Sequence, residues 1–251
     1  MTIRRRELLS LSVFALLPQV RAGAQAPPVD LVGDLVAANH ILATEGIVDG
    51  YGHVSVRSPR DKARFLLSRS IAPESVTAAD ILEYGLDGEA FDPKGRTSYK
   101  ERYIHSEIYR ARPDVNAVMH THPQWSTFLT MTGVKYQPVY AQGVLLGDIP
   151  LMDSPLSINT KPMGEKMAQL LGRGPAVLLK AHGVVVVGAD IVECFALAAY
   201  VEENAYRQYM AMQIGEPYVF SEAEQQASRE KLWTPSLFKK TWDHYRSKLS
   251  E

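Results

Sequence analysis

The stretch NAVMHTHPQW, residues 116–125, sets two histidines one residue apart at the end of an apolar run. In a β-strand, residues i and i+2 project to the same face. An extended NAVMHTH therefore presents the imidazoles of His120 and His122 side by side. Such a pair can chelate zinc, iron, copper and related ions. Taken alone, H-x-H is weak evidence, because two polar residues on a half-exposed strand give the same pattern. The segment that follows, PQWSTFLTMTG, starts with proline at the first turn of a helical pattern. The pair thus falls at a strand-to-helix junction.

A second stretch sharpens the choice. In LLKAHGVVVVG (178–188), His182 also ends an apolar strand, and the glycine after it permits a sharp turn or a close backbone approach. Three histidines at strand ends of one sheet can converge on one ion. Three protein ligands leave coordination positions open, which is the mark of a catalytic metal site. The eight-stranded barrel hydrolases also carry H-x-H, but on their first strand. Here the pair lies near mid-chain, with too few strands after it to close such a barrel.

Working outward, strand patterns at YGHVSVRS (51–58) and ARFLLS (63–68) precede a hairpin signal, Asp87-Gly88 in EYGLDGEAF. Helical patterns cover LVGDLVAANHILATEG (31–46), capped by Asp30, and YKERYIHSEIYRAR (99–112), ended by Pro113. A further helix is expected over NTKPMGEKMAQLLG, with Asn159 as its cap. Asp190 and Glu193 make a capping box for a long helix running to about Met212. Two amphipathic patterns, SEAEQQASREKLW and PSLFKKTWDHYRSKL, close the chain. Strands interleave with helices but include hairpins, so one domain with a mixed sheet is expected.

Composition narrows the function classes. Of 251 residues, 46% are hydrophobic and 22% charged, and the net charge of −1 nominates neither nucleic acid nor an anionic membrane as partner. Seven histidines against one cysteine exclude a disulfide framework and a cysteine-rich zinc site. Cys194 reads as a buried small hydrophobe. His105 shares a helix face with Glu101 four residues earlier, as a fourth ligand or as a satisfied polar residue. His53, beside a glycine-rich turn, is a candidate for lining a pocket. His40 and His244 carry no chemical expectation.

The first residues follow the three-part grammar of an export signal. A basic cluster, Arg4 to Arg6, precedes an apolar core from Leu8 to Leu17. Small-residue sites follow at Ala22-Gly23-Ala24 and Ala24-Gln25-Ala26. The core is too short for stable membrane insertion, and the paired arginines resemble a twin-arginine signal. Residues 1–24 are expected to be cleaved after Ala24. Residues 25–251 then form one periplasmic domain, or a cytoplasmic one if the segment is not a functional signal.

Together, GHVSVR, ERYIHSEIYRARPDVNAVMHTH and LLKAHGVVVVG resemble the class II aldolase/adducin family over about residues 31–215. The resemblance implies a three-layer α/β/α sandwich around a mixed, mostly antiparallel sheet. It also implies a homotetramer with active sites between subunits. One divalent metal per chain would sit on His120, His122 and His182, with zinc foremost and manganese, iron or cobalt as alternatives. The family's acid/base glutamate precedes an RPD motif by eleven residues, and Glu101 stands eleven before Arg112. Tyr140 falls near a proton-donating tyrosine that a neighbouring subunit supplies; the plainer reading is a packed tyrosine.

Departures from the family pattern bear on the substrate. Sugar-phosphate aldolases of the family carry Gly-Asn where this chain has Gly52-His53, and a serine pair where it has Tyr99-Lys100. The substitutions resemble the branch that decarboxylates hydroxy-aromatic or muconate-type acids. Lys100 or Arg69 would pair with a substrate carboxylate, and Ser68, Ser70, His53 and His105 would line the pocket. The expectation is a metal-dependent carbon–carbon lyase acting on a small hydroxy-carboxylate. The alternatives are an aldolase or epimerase on a hydroxy-carbonyl substrate, and a non-catalytic adducin-like interaction module.

Overall fold

The computed structural model describes residues 30–249, so the expected export segment lies outside the described residues. The helices are α1 (Leu31–Thr44), α2 (Arg102–Ala111), α3 (Gln124–Thr132), α4 (Lys161–Leu171), α5 (Ile191–Ile214), α6 (Glu222–Leu232) and α7 (Pro235–Arg246). The strands are β1 (His53–Arg57), β2 (Arg64–Ser68), β3 (Ile81–Gly85), β4 (Ala117–Thr121), β5 (Leu151–Met152), β6 (Ala176–Leu179) and β7 (Gly183–Gly188). They form one sheet in the order β3-β2-β1-β4-β7-β6-β5. Every pairing is antiparallel except β5 with β6. Among the described residues no helix is long and apolar enough to cross a membrane.

The side-chain period of two sorts this sheet into two cores. Val54, Val56, Ala117, Met119, Val184 and Val186 face one way, onto α1 and α5. Val118, Val185, Val187, Phe65 and Leu67 face the other, onto Ile104, Ile108 and Tyr109 of α2 and Met167 and Leu171 of α4. The result is the expected α/β/α sandwich. Because both faces are covered, the strands read as runs of apolar residues rather than as clean alternation.

Four local expectations needed adjustment. Helix α2 begins at Arg102 rather than Tyr99, because the Tyr99 hydroxyl is tied to the Ile71 carbonyl and the Glu101 side chain is held by another loop. The cap position of α4 is Thr160 rather than Asn159, and no side chain caps it. The return strand of the Asp87-Gly88 hairpin shrinks to a single bridge between Tyr84 and Ala90. The box on α5 forms by half: the Asp190 carboxylate accepts from the Glu193 N–H at 2.8 Å, but Glu193 reaches the N–H of Ala189 instead.

Candidate metal centre

The site grows from the sheet register. On the face that meets α2, His53 of β1 lies opposite His120 of β4. One strand further, Thr121 pairs with Val184 of β7. The turn from β6 to β7 places His182 at the same sheet end, with Ala181 in the left-handed region (φ 49°) and its N–H held by the Thr130 hydroxyl at 2.9 Å. Gly183 makes this junction possible. A Cβ there would stand 2.2 Å from the Thr121 carbonyl oxygen and 3.0 Å from His122 Cδ2.

The three rings form a near-equilateral triangle, with centroids 4.8 Å apart for His120 and His122, and 5.1 Å from His182 to each. Their ligand atoms, together with a Glu101 oxygen, all lie within 4.8 Å of one another. His120 Nδ1–H donates to the Val184 carbonyl at 3.2 Å, and His122 Nδ1–H donates to Asp49 Oδ1 at 2.9 Å. Each bond fixes the tautomer and leaves Nε2 with a lone pair. Those two Nε2 atoms face each other at 3.1 Å. Two lone pairs at that distance repel unless a cation sits between them.

Burial, reinforced by His120, pushes His182 down to about 4 and His122 below its ordinary value, against the pull of Glu101 and Asp49. Both rings are thus neutral, ligand-ready imidazoles at neutral pH. Burial opposes the charge of Glu101, but His120, His53 and the Ser157 hydroxyl outweigh it and hold the carboxyl well below the usual range. A donor set of imidazoles and one carboxylate suits a divalent ion.

Glu101 occupies the position just before α2. Its Oε1 accepts from the Ser157 hydroxyl at 2.7 Å and the Ile158 N–H at 3.0 Å. Oε2 turns inward, 3.4 Å from His120 Nε2 and 3.9 Å from His53 Nε2. The carboxylate side chain is 12% exposed, so it is reachable but largely shielded. Outside this cluster opens a cleft of about 450 Å³, lined by Asp49, Tyr51, His122, Phe128, Ser157 and His182 among others. That volume lies in the range of small-molecule sites.

The other sequence candidates are placed differently. His53 is buried against the cluster, with its ring 5.1 Å from that of His120. His105 is wholly buried behind it, bonded to His53 and Ser55, so it meets no open space and no metal position. Ser68 is buried under the Tyr99 hydroxyl at 3.3 Å, and Arg69 is paired with Asp80 at 2.6 Å. Ser70 and Lys100 are exposed. None of these last four lines the cleft within the chain. Tyr140 lies in a separate groove with Tyr200 and Glu203, the Arg207 guanidinium 3.8 Å above its ring. Sequence reasoning missed Asp49 and Ser157; Tyr99, singled out there only as a departure from the family pattern, packs its ring 4.5 Å from that of His53.

Comparison with known proteins places the chain in a family. The family described as Class II Aldolase and Adducin N-terminal domain matches residues 33–209, and the chain belongs to that family. Among curated relatives, the decarboxylase tropJ of Talaromyces stipitatus is 33% identical over 202 residues, covering 72% of this chain and 76% of that protein. A 3,4-dihydroxyphthalate decarboxylase of Rhodococcus jostii is 29% identical over 184 residues, covering 67% and 74%. Among solved structures, the L-fuculose 1-phosphate aldolase of Glaciozyma antarctica superposes with a TM-score of 0.75 at 24% identity, over 86% of this chain and 87% of that one. The last likeness establishes the shared fold.

Proposed function

We propose that this protein is a divalent-metal-dependent carbon–carbon lyase that decarboxylates a hydroxy-carboxylic acid of aromatic or muconate type. The observation that carries the reading is the convergence of His120, His122 and His182 on one point with Glu101 Oε2 beside it. Choice of decarboxylation over aldol cleavage is supported by the decarboxylases among the relatives. The replacement of Gly-Asn and a serine pair by Gly52-His53 and Tyr99-Lys100 supports it too.

His120, His122 and His182 would hold the metal, with zinc the first choice for this ligand set. When bound it supplies Lewis acidity that stabilises the enolate charge left as the carbon–carbon bond breaks. The chain's own residues do the rest. Ser157 and the Ile158 N–H anchor Glu101 Oε1, so Oε2 is the oxygen free to exchange a proton. It takes the proton of the substrate hydroxyl and returns it to the carbon that carbon dioxide leaves. The electron pair of the broken bond passes into the enolate, and that carbon ends with the returned proton in place of the carboxylate. Asp49 keeps His122 in the tautomer that points Nε2 inward.

The cleft is open on one side, where Tyr51 and Met131 are 73% and 56% exposed. This supports assembly into a homotetramer in which a neighbouring subunit completes the wall and brings its Tyr140 to the site. The residue 1–24 segment supports export to the periplasm. An aldolase or epimerase would use the same metal and Glu101. An adducin-like module would need neither.

The deciding experiment is to incubate the zinc-loaded protein with 3,4-dihydroxyphthalate, dihydroxybenzoates and L-fuculose 1-phosphate, measuring carbon dioxide and aldehyde. Carbon dioxide from a hydroxy acid alone is expected. Aldehyde release alone would overturn the decarboxylase assignment, and neither product from any substrate would overturn the lyase assignment for these substrate classes.

A further inference from the structure

Behind the metal cluster runs a chain of buried polar groups that metal binding does not require. His53 and Ser55 are alternate residues of β1, on the face that meets α2, and His105 and Tyr109 are one turn apart on α2. His53 Nδ1 lies 2.7 Å from His105 Nε2, His105 Nδ1 lies 2.6 Å from the Ser55 hydroxyl, and that hydroxyl lies 2.8 Å from the Tyr109 hydroxyl. All four are at most 2% exposed, and Phe65 stacks on the His105 ring. Burial lowers His105 to about 3 and raises the Tyr109 phenol beyond its ordinary range, so both stay neutral.

The direction of this chain can be worked out. Among the described residues the Tyr109 hydroxyl has one side-chain partner, Ser55. Its backbone neighbour, the Val118 N–H, can only donate. A buried O–H must find an acceptor, so Tyr109 donates to Ser55. Ser55 then donates to His105 Nδ1, which puts the His105 proton on Nε2, and that proton is donated to His53 Nδ1. His53 is left with its own proton on Nε2. That nitrogen is buried, has no hydrogen-bond partner, and lies 3.9 Å from Glu101 Oε2. A buried, unpaired donor aimed into a site is costly unless something there accepts from it.

We propose that the Tyr109–Ser55–His105 chain holds His53 as its Nε2–H tautomer, making His53 a fixed hydrogen-bond donor to an anionic substrate oxygen, the carboxylate, beside Glu101. The choice of acceptor rests on the lyase reading; the tautomer does not. His53 touches the substrate, while Ser55, His105 and Tyr109 are positioning residues. An asparagine at this position could also donate, but from an amide on a shorter stem. The imidazole reaches further, and its direction is set from behind by three residues.

The test is a long-range proton–nitrogen correlation spectrum of the histidine-labelled full chain, metal-free and zinc-loaded, with His53 assigned by its loss in His53→Gln. The expected spectrum shows His53 and His105 each protonated on Nε2 and bare on Nδ1, with both mixed in Ser55→Ala. A proton on His53 Nδ1 in the wild type overturns the proposal without reference to any variant. For the acceptor, binding of 3,4-dihydroxybenzoate is compared with that of catechol, which lacks the carboxylate. His53→Phe should weaken the acid roughly tenfold or more, as expected for a lost hydrogen bond to a charged group, and leave catechol and zinc content unchanged. Equal effects on both ligands, or binding of neither, overturn the carboxylate as acceptor. Failure of carbon dioxide release with the expected tautomer present would instead count against the lyase reading.

Discussion

Replacing Gly183 by alanine should damage the metal centre without touching a ligand. The new Cβ would stand 2.2 Å from the Thr121 carbonyl oxygen, where ordinary contact begins at 3.4 Å, and 3.0 Å from His122 Cδ2. The nearest atom is backbone, so no side chain can rotate away, and β7 must part from β4 by about 1 Å. His182 precedes this residue directly and would move with it. Ligand distances in a zinc site tolerate about 0.2 Å, so the displacement exceeds the tolerance severalfold. We expect zinc affinity to fall by at least about 100-fold, comparable to or beyond the loss of an outer-shell partner. The cost to fold stability should be about 1–3 kcal/mol, as for other overpacked sites. Titration calorimetry with zinc, alongside thermal unfolding of the metal-free protein, separates the two effects. Wild-type affinity within twofold would refute the reasoning, because it would mean that the β4–β7 spacing does not set the triangle.

Other perturbations have defined outcomes. Glu101→Gln should keep the metal, since three histidines remain, while lowering carbon dioxide release by about 10²- to 10⁴-fold; loss of the metal would show the carboxylate to be an obligatory ligand. Asp49→Ala frees the His122 tautomer and should weaken zinc binding roughly 10- to 100-fold, read by competition with a chelating dye. Arg57 is buried and donates to the carbonyls of Lys62, Tyr109, Arg112 and Val115 at 2.7–2.9 Å. Arg57→Met should therefore cost about 3–5 kcal/mol in denaturant unfolding, with a value under 1 kcal/mol contradicting this. His105 has a folded pKa of about 3 against an unfolded value of 6.5. The unfolded chain therefore takes up the proton first as pH falls. Stability of the metal-free protein should drop between pH 6.5 and about 3, by up to about 1.4 kcal/mol per unit for this group. His105→Asn should flatten that slope.

The convergence of the three histidines was legible because short-range rules place them: i and i+2 on a strand for His120 and His122, and a histidine before glycine at a strand end for His182. One domain with a mixed sheet was legible from hydrophobic periods and hairpin signals, whereas its three-layer sandwich was an implication of the family resemblance. What surrounds the triad was not legible. Asp49 and Ser157 come from loops with no periodicity, and only tertiary folding brings them to His122 and Glu101. Glu202 is similar: from mid-α5 its carboxylate accepts the N–H groups of Trp125 and Ser126 at 2.7 and 3.0 Å, which anchors the helix after the H-x-H. The buried chain behind His53 lies between these cases. Its members sit at i, i+2 on β1 and i, i+4 on α2, so each pair could be read from sequence, but not that the two faces meet. Ser68, Arg69, Ser70 and Lys100 were expected at the pocket from the family pattern. Within the chain, Tyr99 and Asp80 engage the first two, and the others face outward.

The most direct test of the metal-centre reading is elemental analysis of the purified protein beside His120→Ala/His122→Ala. The expected result is about one divalent ion per chain in the wild type and none in the double variant, with both proteins folded. Equal metal in the two, or none in a wild type dialysed against zinc, would contradict a catalytic centre built on His120, His122 and His182.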